Sequence, residues 1–492
     1  MDEAFSYGVQ LCYENSKTET NGTVASCHSS AEVWFAFMVA VYNVGMFLGA
    51  LCVPPMADRL GRRNALMLCN NILAAFSSIL MASSWIHAGD AQQPYFVSFT
   101  MLVVGRTVSG VATGIAYGLV PLYLTEISPM EHRGFNGSCQ NLMISLNTLF
   151  SLIVAHPAVL GQHWICMHLL GVPFAVAQML LCSYLPETPK YLLLRRHDEI
   201  GARAALAHFV PDITDQQVVD LFTHFRSEEL QAASSKTSLS DVMRLRHLRQ
   251  PILVSCAVVT AANCTGIVAI FTYSTKMFDH SGLDGAWPAI ASIVLSAFNC
   301  FGAVLASLLV ERLGRRVLLF AGLVICIIAD FLFMFVDFAV DLTDSKVVAW
   351  LGVAMMAVHV SAYNVGPGAV MWFISAEVTP QSVRSYAVMA AMSVNNLARV
   401  AIHHLCVANA LLVLNFAYPP LSRLMNCWVM LVFIVPCSLL TGLLYFTMPE
   451  TRNREIDDII RQWRPKSDAT HHNYMISVFT VQKRNRNRHH FR

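Results

Sequence analysis

The residues of this chain whose types and spacing could do chemistry are mostly charged, and the chemistry they suit is ion pairing rather than bond making. Asp58-Arg59-Leu60-Gly61-Arg62-Arg63 recurs as Glu311-Arg312-Leu313-Gly314-Arg315-Arg316, 253 residues downstream. Glu126 and Arg133 are answered by Glu377 and Arg384 at the same separation, and Pro186-Glu187-Thr188 by Pro449-Glu450-Thr451. A repeat of about half the chain means two related halves. Two more arginines sit inside apolar runs: Arg106, and Arg399 between Asn395 and His403 at four-residue steps, which share one helical face. The sequence holds no nucleotide-binding loop and no metal-type cysteine spacing, so it gives an ATP-driven mechanism, a metal or a cofactor no support.

These charges sit in an otherwise apolar chain. Of 492 residues, 55% are hydrophobic and only 13% charged, with a mean hydropathy of +0.51. A soluble chain carries about a quarter charged residues, so most of this surface must face lipid. The net charge of +2 is too small and too dispersed to suggest nucleic acid. Most of the 14 cysteines fall in apolar runs and read as small hydrophobes, leaving Cys12 and Cys27 as the candidate disulfide.

A polar segment, 1–32, opens the chain, and Asn21-Gly22-Thr23 within it is a glycosylation sequon. Spans of about 20 or more apolar residues follow, near 33–57, 64–85, 95–124, 134–156 and 163–185, which make up a first half over 33–185. A polar linker with short helices covers 186–250. Six more spans, near 251–278, 286–310, 316–338, 347–374, 384–414 and 426–448, make up a second half over 251–448, and a hydrophilic tail covers 449–492. Lys and Arg crowd the two Leu-Gly-Arg-Arg knots, the linker and the tail, whereas the alternate loops carry only Lys276, Lys346 and Arg423. Positive charge marks the cytoplasmic side. The knots, linker and tail are therefore expected inside and Asn21 outside, as the single glycosylated site. Asn136-Gly137-Ser138, at a cytoplasmic helix start, and Asn263-Cys264-Thr265, inside a span, are dismissed as sequons. Two spans precede Glu311 but only one precedes Asp58, so the repeat implies that a first helix is largely missing.

With these motifs in order, the chain resembles the sugar porter family of the major facilitator superfamily, which contains the facilitative glucose transporters. Besides the repeats above, the resemblance rests on Gly105-Arg106, Pro121 through Gly134, Pro186 through Leu193, Gln250 through Leu253 and Tyr273-Ser274-Thr275. It continues through Gly366-Pro367-Gly368, Trp372-Phe373-Ile374 and Ala376-Glu377. It implies an all-α integral membrane protein of the major facilitator fold: two pseudo-symmetric six-helix halves, here with eleven predicted spans.

The resemblance also implies roles for the charges. Arg59, Arg62, Arg63, Arg106, Glu126, Arg133 and Glu187 are expected to join Arg312, Arg315, Arg316, Glu377, Arg384 and Glu450 in an inner-face network. That network would pair the two halves and part when they rock. Arg106 needs a partner of its own, expected to be a cytoplasmic-end acid such as Glu126 or Glu187. The solute site is expected mid-membrane between the halves, lined by Asn141, Asn263, Asn299, Trp372 and Asn395, with Arg399 as a further candidate. The family's amides are lost at Ala262 and Val268, and its acid before Gly-Pro-Gly is replaced by Asn364. Two lost bonds of ~0.5–1.5 kcal/mol each would weaken glucose binding roughly 5- to 150-fold.

The expected activity is a non-enzymatic, multi-pass carrier, placed in the plasma membrane. It moves a small polar solute, a hexose or related sugar, by alternating access. A small organic anion is the alternative if Arg399 faces the cavity, and a non-transporting sensor is the alternative from another class. The expected partners are the solute and the lipid bilayer.

Overall fold

The computed structural model describes residues 23–88, 95–129, 133–156, 158–160, 163–210, 213–234, 246–268, 287–343, 346–379, 383–404 and 430–451, with a few single positions between. Asn21, Cys12 and the tail beyond Thr451 lie outside them. Among the described residues the regular structure is entirely helical.

The first half consists of α1 (Thr23–Arg59), α2 (Arg62–Asn64), a π-helical turn (Ala65–Asn70), α3 (Asn71–Ala88), α4 (Tyr95–Ile127), α5 (Arg133–Val154), α6 (Trp164–Leu169) and α7 (Gly171–Tyr184). Three linker helices follow: α8 (Pro189–Leu194), α9 (Glu199–Phe209) and α10 (Asp215–Ser234). The second half contains α11 (Arg246–Cys264), α12 (Trp287–Leu313), α13 (Arg315–Thr343), α14 (Lys346–Val365), α15 (Pro367–Val378), α16 (Arg384–His404) and α17 (Leu431–Thr447). Six stretches among the described residues are long and apolar enough to cross a membrane: Arg62–Ser84, Val97–Ile127, Gly134–Val154, Ile165–Tyr184, Trp287–Leu313 and Arg315–Val340. Leu248–Cys264 and Leu431–Thr447 are shorter apolar helices.

Besides the slight interruption at Leu170, whose backbone stays helical between α6 and α7, two of the expected spans are broken. The 347–374 span divides into α14 and α15 at Gly366-Pro367, because Pro367 cannot continue the hydrogen-bond ladder and instead opens the new helix. The span expected over 251–278 stops at Cys264, and Gly266 follows at φ +79°, a conformation that glycine adopts without cost. A Cβ on Gly266 would also strike the Phe433 ring at 2.9 Å.

A connection as short as each knot favours an antiparallel hairpin of the two helices it joins. The turns are tight, but the helices they join pack chiefly on a shared third helix: α1 and α3 on α4, and α12 and α13 on α14. The halves meet where α5 packs on α12 and α15, and α1 on α16. The linker helices enclose their own small core of Leu193, Ala202, Leu206, Val218 and Phe222. They dock under the first half, where the Tyr123 ring meets Phe209 and its hydroxyl donates to the Pro186 carbonyl at 2.9 Å.

Candidate functional site

Two polar constellations stand out against this apolar background. The first gathers the motif charges. In the first half Arg62 pairs with Glu126 at 2.7 Å, with side chains only 10% and 1% exposed. Arg62 also donates to the Ala57 carbonyl at 3.0 Å. Glu126 accepts from the Thr188 hydroxyl at 2.8 Å. Glu187 accepts the backbone N–H groups of Arg62, Arg63 and Thr188 at 3.0–3.2 Å. Arg63 donates to the Cys182 and Ser183 carbonyls.

The second half repeats this arrangement residue for residue. Arg315 pairs with Glu377 at 3.1 Å and donates to the Val310 carbonyl. Glu377 accepts from Thr451 at 2.8 Å. Glu450 accepts the backbone N–H groups of Arg315, Arg316 and Thr451, and Arg316 donates to the Tyr445 carbonyl. Gly61 and Gly314 both take φ +87°. A Cβ there would lie 2.4 Å from the Glu187 carboxylate or 2.8 Å from that of Glu450. The glycine of each knot is thus required both by its backbone and by the acid seated on it.

Where pairs between the halves are expected, the ion pairs found among the described residues of both networks lie within a half. The described link across is Glu311, which is bound to Arg315 at 3.0 Å. Its other oxygen accepts the N–H groups of Gly134 and Phe135, at 2.7 and 3.1 Å, in the first turn of α5. A carboxylate there satisfies orphan donors and meets the positive end of the helix dipole. Arg59 and Arg312 are exposed, and Arg384 is buried. The side chain of Arg133 lies outside the described residues. Arg106 has neither expected acid as partner, since Glu126 lies some 30 Å further along α4 at 1.5 Å per residue. Arg106 sits instead in the field of Tyr42 on α1, and its Nε has no hydrogen-bond partner among the described residues.

The second constellation lies between the halves. Gly134, Ser138, Asn141 and Ser145 form one stripe along α5, at spacings of four, three and four residues. Asn141 and Ser145 donate to Oδ1 of Asn364 at 3.0 and 3.3 Å, across to α14. Asn364 in turn donates to Asn299 of α12 and, at 2.9 Å, to the Val360 carbonyl. Asn364, the amide that stands where the family has an acid, is the centre of the group. A carboxamide both donates and accepts, which an ionised acid cannot do. Nearby on α15, the buried Trp372 meets the Tyr117 ring of α4 edge-on at 4.7 Å, again across the halves. Asn263 donates to Asn395 at 2.7 Å, so the structure joins these two expected residues directly. The side chains of Arg399 and His403 lie outside the described residues. Asn136 donates to Ser128 at 2.8 Å and Asn263 is buried, in keeping with the dismissal of their sequons.

These features can be set beside known proteins. A family model described as "Sugar (and other) transporter" matches residues 4–463. The facilitated glucose transporter member 1 of Gallus gallus is 30% identical over 438 residues, covering 87% of this chain and 82% of that protein. Member 9 of Homo sapiens is 27% identical over 466 residues, covering 94% and 81%. Among solved structures, the major facilitator proton:xylose symporter XylE bound to 6-bromo-6-deoxy-D-glucose superposes with a TM-score of 0.73 at 17% identity, covering 94% of this chain and 95% of that one. The fold is that of the major facilitator superfamily, and the protein is a multi-pass membrane protein.

Proposed function

Because this chain belongs to the sugar (and other) transporter family, we propose that it carries a hexose or related sugar across the plasma membrane by alternating access, as facilitated diffusion. The observation that carries this reading is the Asn364 group, which draws α5 of one half to α12 and α14 of the other through neutral amides and a hydroxyl. In the absence of solute these groups satisfy one another. A sugar hydroxyl, both donor and acceptor, exchanges one neutral hydrogen bond for another, at a net gain of only ~0.5–1.5 kcal/mol each. Trp372 adds an apolar face for a ring. Such exchange favours weak, reversible binding, which a carrier needs in order to release its cargo.

Saturable uptake of labelled D-glucose or D-fructose into proteoliposomes tests the reading. Asn364→Ala leaves Asn141, Ser145 and Asn299 without their shared partner, at a cost of ~1–3 kcal/mol, and should raise the KM for sugar about tenfold or more. Ala262→Gln with Val268→Asn should improve glucose affinity. Uptake of an organic acid but no sugar, abolished by Arg399→Gln, would overturn the hexose reading, and saturable binding without flux would favour a sensor. The outside placement of Asn21 is tested by a glycosidase-sensitive gel shift that Asn21→Gln removes.

A further inference from the structure

Neither the charge networks nor the amide group uses one buried pair of ionisable side chains. Nδ1 of His359, on α14, lies 2.7 Å from Oδ1 of Asp330, on α13, with side chains 0% and 3% exposed. Both residues fall within apolar helices, where an ionisable side chain is costly and calls for a function. Facing each other at this distance, the carboxyl and the imidazole offset part of one another's cost of burial.

The pair belongs to a longer contact. Gly322, Cys326 and Asp330 follow one another at four-residue steps and so form one face of α13. At Gly322 the backbones meet, since a Cβ there would lie 2.7 Å from both the Ala362 carbonyl and the Gly366 Cα. The Cys326 thiol donates to the His359 carbonyl at 3.5 Å. Asp330 completes the row by facing the His359 imidazole. This face grips α14 from His359 to Gly366, the stretch that contains Asn364 and ends at the helix break.

We propose that Asp330 and His359 are positioning residues for Asn364. They fix the register of α14 against α13, so that Asn364 stays within reach of Asn141, Ser145 and Asn299. Apolar helix faces can slide over one another at little cost, whereas a buried polar pair and a close backbone contact set one register. The amide bonds tolerate only a few tenths of an ångström, so a small slip of α14 breaks them. Among the described residues, the other titratable groups near Asp330 are the thiols of Cys326 on α13 and Cys437 on α17. The inference rests on the sugar reading for its transport readout, and a second readout free of solute separates the two.

The test compares the native carrier with the apolar double variant Asp330→Leu/His359→Phe, which leaves no buried charge, and with the swap Asp330→His/His359→Asp. In proteoliposomes the apolar variant should raise the KM for sugar about tenfold with Vmax changed less than about twofold. The swap should bring KM back to within about threefold of native. Without solute, the loss of thermal stability caused by Asn364→Ala should shrink by about half or more in the apolar background, because Asn364 is already displaced. If the apolar variant does not fold, Asp330→Asn/His359→Gln takes its place with the same expectations. An unchanged KM in a folded variant, a fall in Vmax alone, or an undiminished effect of Asn364→Ala overturns the proposal. A native carrier that transports no sugar sinks the hexose reading instead and leaves the stability comparison to decide the positioning role.

Discussion

In the first half Arg62 holds Glu126 at 2.7 Å, and in the second Arg315 holds Glu377 at 3.1 Å, each beside a glycine at φ +87° with a Pro-Glu-Thr acid seated on the turn. The halves part at the acid that opens each motif. Glu311 reaches across to cap α5 of the other half. Asp58, one methylene shorter, remains with its own half and meets the linker's Arg195 at 3.6 Å, with side chains 40% and 56% exposed. The same tip thus serves as scaffold twice but reaches over as a described latch once. The lesson concerns magnitudes. A buried pair that costs ~3–5 kcal/mol to break suits a part that should not open in the alternating-access cycle proposed above. A carboxylate on a helix N-terminus, worth ~0.3–2 kcal/mol, suits one that must.

The largest effects should come from breaking the scaffold in either half. Arg62→Leu leaves Glu126 buried without its charge partner, and Arg315→Leu does the same to Glu377. Both should lose ~3–5 kcal/mol of stability, seen as a large fall in thermal unfolding temperature. Only Arg315→Leu should also expose the inner face, because Arg315 holds Glu311 as well. Equal exposure in both variants would remove the distinction drawn here. A smaller effect is expected from Glu311→Gln, which keeps the shape but removes the charge facing α5. A loss of ~1–2 kcal/mol would shift the balance toward the inward-open form roughly 5- to 30-fold, read as faster labelling of inner-face cysteines with little change in unfolding temperature. Asp58→Asn should do least, since exposed pairs contribute ~0–1 kcal/mol. Any change should appear in the protease sensitivity of the linker rather than in access to the inner face.

Much of this comparison was legible in the sequence. Repetition of the Leu-Gly-Arg-Arg knots, with their spaced acids, pointed to Arg62, Glu126, Glu187, Arg315, Glu377 and Glu450, but also to Arg59 and Arg312, which are exposed. Which acid pairs with which arginine was not legible, because two related sets of opposite charges can pair within or between halves at similar Coulomb energy. Only the path of the chain decides, and the turn brings Glu187 onto the backbone of Arg62 and Arg63. The site residues were named in part. Asn141, Asn263, Asn299 and Asn395 are engaged in hydrogen bonds, yet the centre is not among them: Asn364 stands out in the sequence by the charge it lacks, and it supplies both donor and acceptor. Its neighbour Ser145 was missed, although it shares the α5 stripe with Asn141. Asp330 and His359 went unremarked because each is a single polar residue in a long apolar run. An ionisable side chain within a span was the available signal, and it had been applied only to Arg106 and Arg399. The breaks at Gly266 and Gly366 were hidden for a different reason, since hydropathy does not change where a helix stops and restarts.

The most direct test is access to the α5 stripe beneath the Glu311 latch. Ser138 is fully buried one turn beyond Gly134, and Ser138→Cys is nearly isosteric. Its labelling by a membrane-impermeant maleimide is followed from the cytoplasmic side in inside-out vesicles. Glu311→Gln should speed labelling about fivefold or more, while Asp58→Asn should leave it within about twofold of the parent. Equal acceleration by both substitutions, or by neither, would contradict the claim that Glu311, and not Asp58, helps to fasten the inner face.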